Sequence, residues 1–413
     1  MLGRRVRKFL LSVREMSAIG IRAFGDDTDA VPCRVASSQE LIQDWIVRIL
    51  HLIAGPGAGG AEVYVKDLAK ALREMGHEMH VAFWGGAKDF GRSEEFERKF
   101  LAELKESGVR YFFVGYRSRR RPWIGICKIR QYVAENRIDI YHCHFLNGIL
   151  YGCLLSVPKV YTHHNIDLRA SKLQYRFLNY FVDAYVGISK VCAEALATIT
   201  SRPVTLIMNG VDVRKFSAKF KKRCFLEEKL RIIAVGRLTP QKNLFHLVDV
   251  VASLDESTLS KVSIEIAGEG DVEYRRRLES YIEANKLSGK IALLGNQSDV
   301  PSLLARSHVL VMTSDWEGLP IALIESTVMG LPCVVTDVGG CREVVEICGN
   351  GIVVPARDVA SFRRAVEALV ADRELLVSMS KNAETARDAF EITVSAKNHV
   401  ELYERLIGRR VGL

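Results

Sequence analysis

Thr313-Ser314-Asp315-Trp316-Glu317-Gly318-Leu319-Pro320-Ile321-Ala322-Leu323-Ile324-Glu325 is the stretch whose reading decides the fold. It follows His308-Val309-Leu310-Val311-Met312, an apolar run that reads as a buried strand. Pro320 opens a second apolar segment that stops at Gly330, with Pro332 two residues beyond. Proline at the start and glycine just past the end punctuate a helix. Glu317 therefore sits on a loop at the carboxyl end of a strand, and Glu325 lies inside an otherwise apolar helix. A glutamate among Ala322, Leu323 and Ile324 is costly to bury unless something hydrogen-bonds to it. In an open α/β sheet, the loop that follows such a strand borders the ligand crevice.

The same alternation runs outward in both directions. Ordered structure is expected to begin at Trp45, with strands over 45–53, 78–84, 110–114, 139–144, 159–162 and 184–188 and helices between them. Asn209-Gly210-Val211-Asp212 is turn chemistry, and the charged stretch to Lys229 reads as a connection. The pattern then restarts with strands over 230–235, 263–267, 291–294, 308–313 and 332–336. The expected fold is α/β: two doubly wound, Rossmann-like domains facing across a cleft. A length of 413 residues suits two domains. The divisions expected are a basic extension over 1–44, a first domain over 45–212, a second over 213–391, and a terminal segment over 392–413 whose helix packs back on the first domain.

Composition narrows the class. Nine cysteines at 33, 127, 143, 153, 192, 224, 333, 341 and 348 include no C-x-x-C pair, and they read as reduced, core-filling thiols of a cytoplasmic protein. No apolar run is long enough for a membrane span. The net charge of +9 is clustered: Arg4, Arg5, Arg7 and Lys8; Arg117, Arg119, Arg120 and Arg121 between Tyr116 and Trp123; and Lys219, Lys221, Lys222 and Arg223. The aromatic-flanked second cluster suits an anionic membrane surface. No nucleic-acid signature accompanies it.

Several loops carry chemistry. Arg237 and Lys242, in Gly236-Arg237-Leu238-Thr239-Pro240-Gln241-Lys242-Asn243, follow the 230–235 strand, where backbone N–H groups, a helix dipole and two cations suit a diphosphate. Gly55-Pro56-Gly57-Ala58-Gly59-Gly60 satisfies G-x-G-x-x-G, the strongest case for a dinucleotide-dependent oxidoreductase. No acidic residue follows the next strand to hold a ribose, however, and Pro56 removes an N–H. The loop reads instead as backbone brought close to a ligand across the cleft. His142 and His144 share a strand face, and His163 and His164 follow the next strand. Four histidines raise the possibility of zinc, but no carboxylate ligands lie nearby and adjacent histidines point to opposite sides. The expectation is no metal, and one cleft histidine in hydrogen-bond or proton work. Gly268-Glu269-Gly270-Asp271 is a tight turn, and Gly339-Gly340 an open loop with N–H groups suited to a phosphate.

Taken in order, these pieces resemble the retaining, nucleotide-sugar-dependent glycosyltransferases of family 4, which have the GT-B fold. The resemblance covers about residues 46 to 391. It includes Gly59-Gly60-Ala61-Glu62, Gly76-His77, Thr162-His163-His164, Ser189, Asn209-Gly210-Val211-Asp212, Gly236-Arg237 with Lys242, Gly268-Glu269-Gly270, Glu317-Gly318-Leu319-Pro320, Glu325 and Gly339-Gly340. Glu317 and Glu325 match the family's E-x7-E spacing. The resemblance implies that Arg237 and Lys242 bind the donor diphosphate without a metal or other cofactor. It implies that Glu325 holds the ribose hydroxyls and that Glu317, with the backbone of Gly318 and Leu319, holds the donor sugar. Gly60 would admit backbone close to the diphosphate, and His164, with His163 as its neighbour, would be the cleft histidine. His164, Arg237, Lys242 and Glu317 are the catalytic set so implied. The implied activity is hexosyl transfer from a nucleoside-diphosphate sugar to a glycan or lipid-linked acceptor in surface polysaccharide, lipopolysaccharide or glycolipid synthesis. A sugar-nucleotide epimerase sharing this fold and the oxidoreductase are the alternatives.

Overall fold

A computed structural model describes residues 46–168, 171–220, 225, 227, 229–297 and 299–408. The 1–44 extension and its basic cluster fall outside the described residues, as do Lys221, Lys222 and Arg223 of the third cluster.

Two wholly parallel sheets organise the chain. The first holds β1 (Arg48–Ile53), β2 (Glu78–Phe83), β3 (Arg110–Phe113), β4 (Ile140–Cys143), β5 (Lys159–His163), β6 (Ala184–Gly187) and β7 (Val204–Leu206), in the order β3-β2-β1-β4-β5-β6-β7. The second holds β8 (Leu230–Val235), β9 (Val262–Ala267), β10 (Ile291–Gly295), β11 (Val309–Met312), β12 (Cys333–Thr336) and β13 (Gly351–Val354), in the order β10-β9-β8-β11-β12-β13. Strand order reverses beside β1 and β4 in the first sheet and beside β8 and β11 in the second. A crevice opens at such switch points, because the following helices leave to opposite faces. Strands β7 and β13, both at sheet edges, are additions to the sequence reading.

The helix Gly60–Glu74 shows how local sequence positions the site. Gly59 caps it, Glu62 lies in its first turn, and Tyr64, Val65, Leu68, Ala69, Ala71 and Leu72 are buried. Gly76 ends it in the left-handed region at φ +97°. The carboxyl-terminal helix Ile392–Leu406 packs along it, with a 2.7 Å hydrogen bond between the Tyr64 and Ser395 hydroxyls. The chain reaches that helix beside Gly210 and Val211. Val211 N–H donates to Phe390 O (2.9 Å), and Ile392 N–H donates to Val211 O (2.9 Å). A Cβ on Gly210 would stand 2.9 Å from Ile392 Cα, so a side chain there would force these two segments apart.

Gly268 lies in the loop after β9 at φ +148°, and a Cβ there would overlap the Gly236 carbonyl oxygen in the loop after β8. Leu238 N–H also donates to Glu269 O (3.0 Å). The Gly268-Glu269-Gly270 turn is therefore a backbone brace for the Arg237 loop. Gly268→Ala should lower stability by about 2–4 kcal/mol through strain and overpacking. Gly289→Ala, in open space, is the control. Denaturant unfolding of both tests this; equal midpoints would remove the brace.

Candidate active site

The loops after β8 and β11 meet through ionic and hydrogen bonds. Lys242 Nζ donates to Glu317 Oε1 (2.6 Å), and Gln241 Nε2 donates to Glu317 Oε2 (3.3 Å) and to Trp316 O (2.9 Å). Both carboxylate oxygens of Glu317 are thus engaged, and the side chain is buried, only 7% exposed. A buried carboxylate needs such compensation. Lys242 keeps further N–H donors beyond this bond, since an ammonium carries three.

A second layer holds Lys242 in place. Thr313 Oγ1 donates toward the carbonyls of Lys242 and Asn243 (3.1 Å each). Asn243 adopts the left-handed region at φ 44° and caps the helix Leu244–Ala252, and its Nδ2 donates to Asp315 Oδ1 (2.9 Å). Arg357 grips Asp315 with both ends of its fork, at 3.0 and 2.8 Å. That pairing holds the Asp315 carboxyl below the usual carboxylate range. Gln241, Asn243, Asp315 and Arg357 were not singled out as site residues from sequence; Gln241, Asn243 and Asp315 stand inside the quoted motifs.

Arg237 is exposed and makes no ion pair among the described residues. The nearby hydroxyls of Thr239 and Ser314 are buried without a hydrogen-bond partner among the described residues. Gly236, Lys242, Thr313 and Ser314 line a pocket at the ends of β8 and β11. An ammonium with spare donors and the unsatisfied Ser314 hydroxyl at that pocket, with the exposed Arg237 cation and the unsatisfied Thr239 hydroxyl on the adjoining loop, suit a polyanionic, polar ligand.

The first domain supplies the opposite wall. A Cβ on Gly318 would overlap the His164 carbonyl oxygen, so His164 lies directly against the Glu317 loop. His163 instead ends β5, and its Nδ1 bonds the Tyr161 hydroxyl (2.9 Å). Leu319 is buried, and its carbonyl faces Asn209 Nδ2 at 3.5 Å. Gly60 opens its helix opposite Ile321, whose Cγ1 would lie 3.2 Å from a Cβ at that position. The Gly339-Gly340 loop was expected to turn its N–H groups to a phosphate. Gly340 N–H instead donates to Gly318 O (2.8 Å), and a Cβ on Gly339 would overlap Glu317 O. Strand β2 ends at Phe83, followed by Trp84-Gly85-Gly86, and the first carboxylate beyond it, Asp89, already accepts from the Gly86 N–H at 2.9 Å.

Glu325 lies on the helix Ile321–Val328, and its carboxyl makes no hydrogen bond among the described residues. Burial, then the nearby charge of Asp67, push its pKa up to about 7, against a smaller opposing effect of Lys215, which is itself paired with Asp67. The linkage sign is unfavourable for folding. Between pH 4.5, its ordinary value, and about 7 the unfolded chain ionises this group while the folded chain resists, so stability falls as pH rises through that window. Glu325→Gln removes the penalty. Without ligand, the variant should gain on the order of 2 kcal/mol at pH 8 and nothing at pH 4. Thermal unfolding at the two pH values decides; a gain of equal size at both would contradict a buried, unpaired carboxyl.

Comparison with known proteins agrees with this geometry. The family described as Glycosyltransferase Family 4 matches residues 58–215, and that described as Glycosyl transferases group 1 matches residues 215–386. The chain is 28% identical over 312 residues to the Escherichia coli UDP-Gal:alpha-D-GlcNAc-diphosphoundecaprenol alpha-1,3-galactosyltransferase, covering 68% of this chain and 80% of that one. It is 22% identical to a Campylobacter jejuni N-acetylgalactosaminyltransferase that acts on a diphosphoundecaprenol-linked glycan, covering 84% of this chain and 96% of that one. Among solved structures, Anabaena HepE in complex with UDP and glucose superposes with a TM-score of 0.72 at 20% identity, covering 87% and 100% of the two chains. WaaG, a glycosyltransferase of lipopolysaccharide biosynthesis, does so at 0.63 and 13% identity, covering 86% and 99%. At such identities the superpositions speak for the fold alone. The two family matches adjoin and together cover every strand of both sheets except β1, and the chain belongs to the family 4-type glycosyltransferases of the GT-B fold.

Proposed function

We propose that this glycosyltransferase moves a hexose from a nucleoside-diphosphate sugar to an acceptor hydroxyl with retention at the anomeric carbon, in surface polysaccharide, lipopolysaccharide or lipid-linked glycan synthesis. The observation that carries the reading is the Lys242–Glu317 pair beside an unpaired Arg237. Two cations on one loop, Lys242 held by Glu317 and Arg237 exposed, would offset the charge that builds on a departing diphosphate, the task a divalent metal performs elsewhere. We therefore infer a donor site that needs no metal or other cofactor. Glu317, whose oxygens are already engaged, orients sugar hydroxyls with the Gly318 and Leu319 backbone rather than attacking carbon. With Glu317 already engaged and Glu325 assigned to the ribose, neither of these carboxylates acts as nucleophile, and the leaving phosphate oxygen takes the acceptor proton as the hydroxyl enters on the same face. Glu325, ionised and unpaired at high pH, receives the ribose hydroxyls, and Gly60 lets backbone approach the diphosphate.

Lys242→Ala and Glu325→Ala should each cut donor turnover by on the order of 10²-fold, the scale of losing one oriented charge-stabilising group. The wild-type chain should keep full activity in EDTA. Near-wild-type turnover in both variants refutes the donor site; EDTA inactivation reversed by a divalent ion refutes metal independence.

The named relatives suggest a lipid-linked acceptor, and the 45–212 domain carries a surface that suits one. Arg117, Arg119, Arg120 and Arg121 are exposed around a short turn, with Trp123 54% exposed beside them. Among the described residues no helix is long and apolar enough to cross a membrane. The reading is peripheral association with the cytoplasmic face of a membrane through basic and aromatic side chains. Vesicles containing anionic lipid should sediment the chain, and glutamine at Arg117, Arg120 and Arg121 together should weaken binding several-fold. Equal binding to neutral vesicles overturns the electrostatic part.

A further inference from the structure

Behind the cleft, four histidines and a tyrosine form one continuous hydrogen-bonded row. In the parallel register of β1 and β4, His51 stands opposite His142, and His144 is two residues further on the same face. The carboxyl-terminal helix covers that face with His399 and Tyr403. His142 Nε2 bonds Thr162 Oγ1 (2.7 Å), and His142 Nδ1 bonds the Tyr403 hydroxyl (2.6 Å). The same hydroxyl lies 3.4 Å from His51 Nε2. His51 Nδ1 then meets His144 Nε2 at 2.8 Å, and His144 Nδ1 meets His164 Nε2 at 2.9 Å. Ring centroids in these two pairs are 4.9 and 5.2 Å apart, so the rings meet edge to edge, as N–H···N bonds require.

Burial keeps the row uncharged: His51 and His164 are pushed down to about 3, and His142 and His144 well below the usual imidazole value. A neutral imidazole has one N–H and one lone pair, so the direction of one bond fixes every bond after it. Tyr403 has a single proton, and the 2.6 Å contact to His142 takes it, because a phenol is the stronger donor and imidazole nitrogen the stronger acceptor. His142 then carries its proton on Nε2. His51 donates from Nε2 to the tyrosine oxygen, His144 from Nε2 to His51 Nδ1, and His164 from Nε2 to His144 Nδ1. His164 Nδ1 is left with a lone pair, and it is a buried atom with no partner among the described residues. An acceptor buried without a donor is costly, and a ligand hydroxyl would satisfy it.

We propose that Tyr403, acting through His51 and His144, holds His164 as its Nε2–H tautomer, so that the Nδ1 lone pair accepts a hydrogen bond from a hydroxyl of the bound donor sugar. Tyr403, His51 and His144 are positioning residues, and only His164 touches substrate. The ligand assignment rests on the glycosyl-transfer reading; the tautomer does not. The same nitrogens also offer a set for a divalent cation, since His51, His142 and His144 converge within 4.8 Å. The 2.8 Å spacing between His51 and His144 is shorter than two ligands on one tetrahedral ion adopt at about 2.0–2.1 Å each, and it fits a hydrogen bond instead.

The test uses the full chain labelled with 15N-histidine, with His164→Gln identifying the His164 resonances. The wild type should show His164 Nδ1 unprotonated and Nε2 protonated. Tyr403→Phe should convert this to a tautomer mixture and lower kcat about tenfold with KM within twofold, the scale of one lost hydrogen bond. His144→Gln, whose amide can still donate and accept, should keep most activity, and His144→Leu should not; this pair decides if Tyr403→Phe does not fold. A wild-type Nδ1–H tautomer, an unchanged His164 spectrum in Tyr403→Phe, or a stoichiometric bound metal ion found by elemental analysis overturns the relay. Absence of wild-type donor turnover sinks the glycosyl-transfer reading instead, leaving the tautomer measurement to decide the relay alone.

Discussion

The Glu317–Gly318 segment is approached from two sides by backbone that leaves no space for a side chain. Gly339 and Gly340 press on it from within the second domain, and His164 meets Gly318 from the first. Hydrogen bonds and van der Waals contact at main-chain distance tolerate far less play than side-chain contacts do. The orientation of Glu317, the reach of Lys242 and the placement of His164 all inherit this fixed point. The glycines here serve close approach, and the Gly340 N–H is committed to the Gly318 carbonyl.

Charge is distributed unevenly around that fixed point. Glu317 is fully engaged by Lys242 and Gln241, and Asp315 by Arg357 and Asn243. Glu325 and Arg237 have no such partners. A site with all its charges paired internally would have to break them to admit a ligand. Here the engaged pairs set geometry, while Arg237 and Glu325 keep their polar groups uncommitted. The cost appears in the Glu325 carboxyl, pushed up to about 7 by burial.

Most of this was legible in the sequence because long apolar runs bounded by glycine and proline mark buried parallel strands. The eleven strands read from sequence are in place within a few residues. β7 and β13 escaped because they are edge strands of three and four residues without a full buried run. Most motif residues of the second domain were legible since they lie on the loops that follow strands, and Glu325 was legible as a carboxylate inside an apolar helical run. The histidine row was legible only in part. Sequence reading grouped His142, His144, His163 and His164, whereas the fold replaces His163 with His51 through strand register. Tyr403 comes from 352 residues away from His51, on a helix whose spacing announces only an amphipathic face.

The two passages of the chain between domains run side by side, at Val211 and at Phe390–Ile392, tied by reciprocal backbone hydrogen bonds and closed on Gly210. A single linker lets two bodies swivel in every direction. A pair of linkers bonded to each other resists twisting and sliding, and leaves bending about the line through them as the soft motion. Any opening of the cleft would be confined to something like a door on its post. Such a motion would return Gly318 to the same spot against His164, so the two walls of the cleft would meet in register.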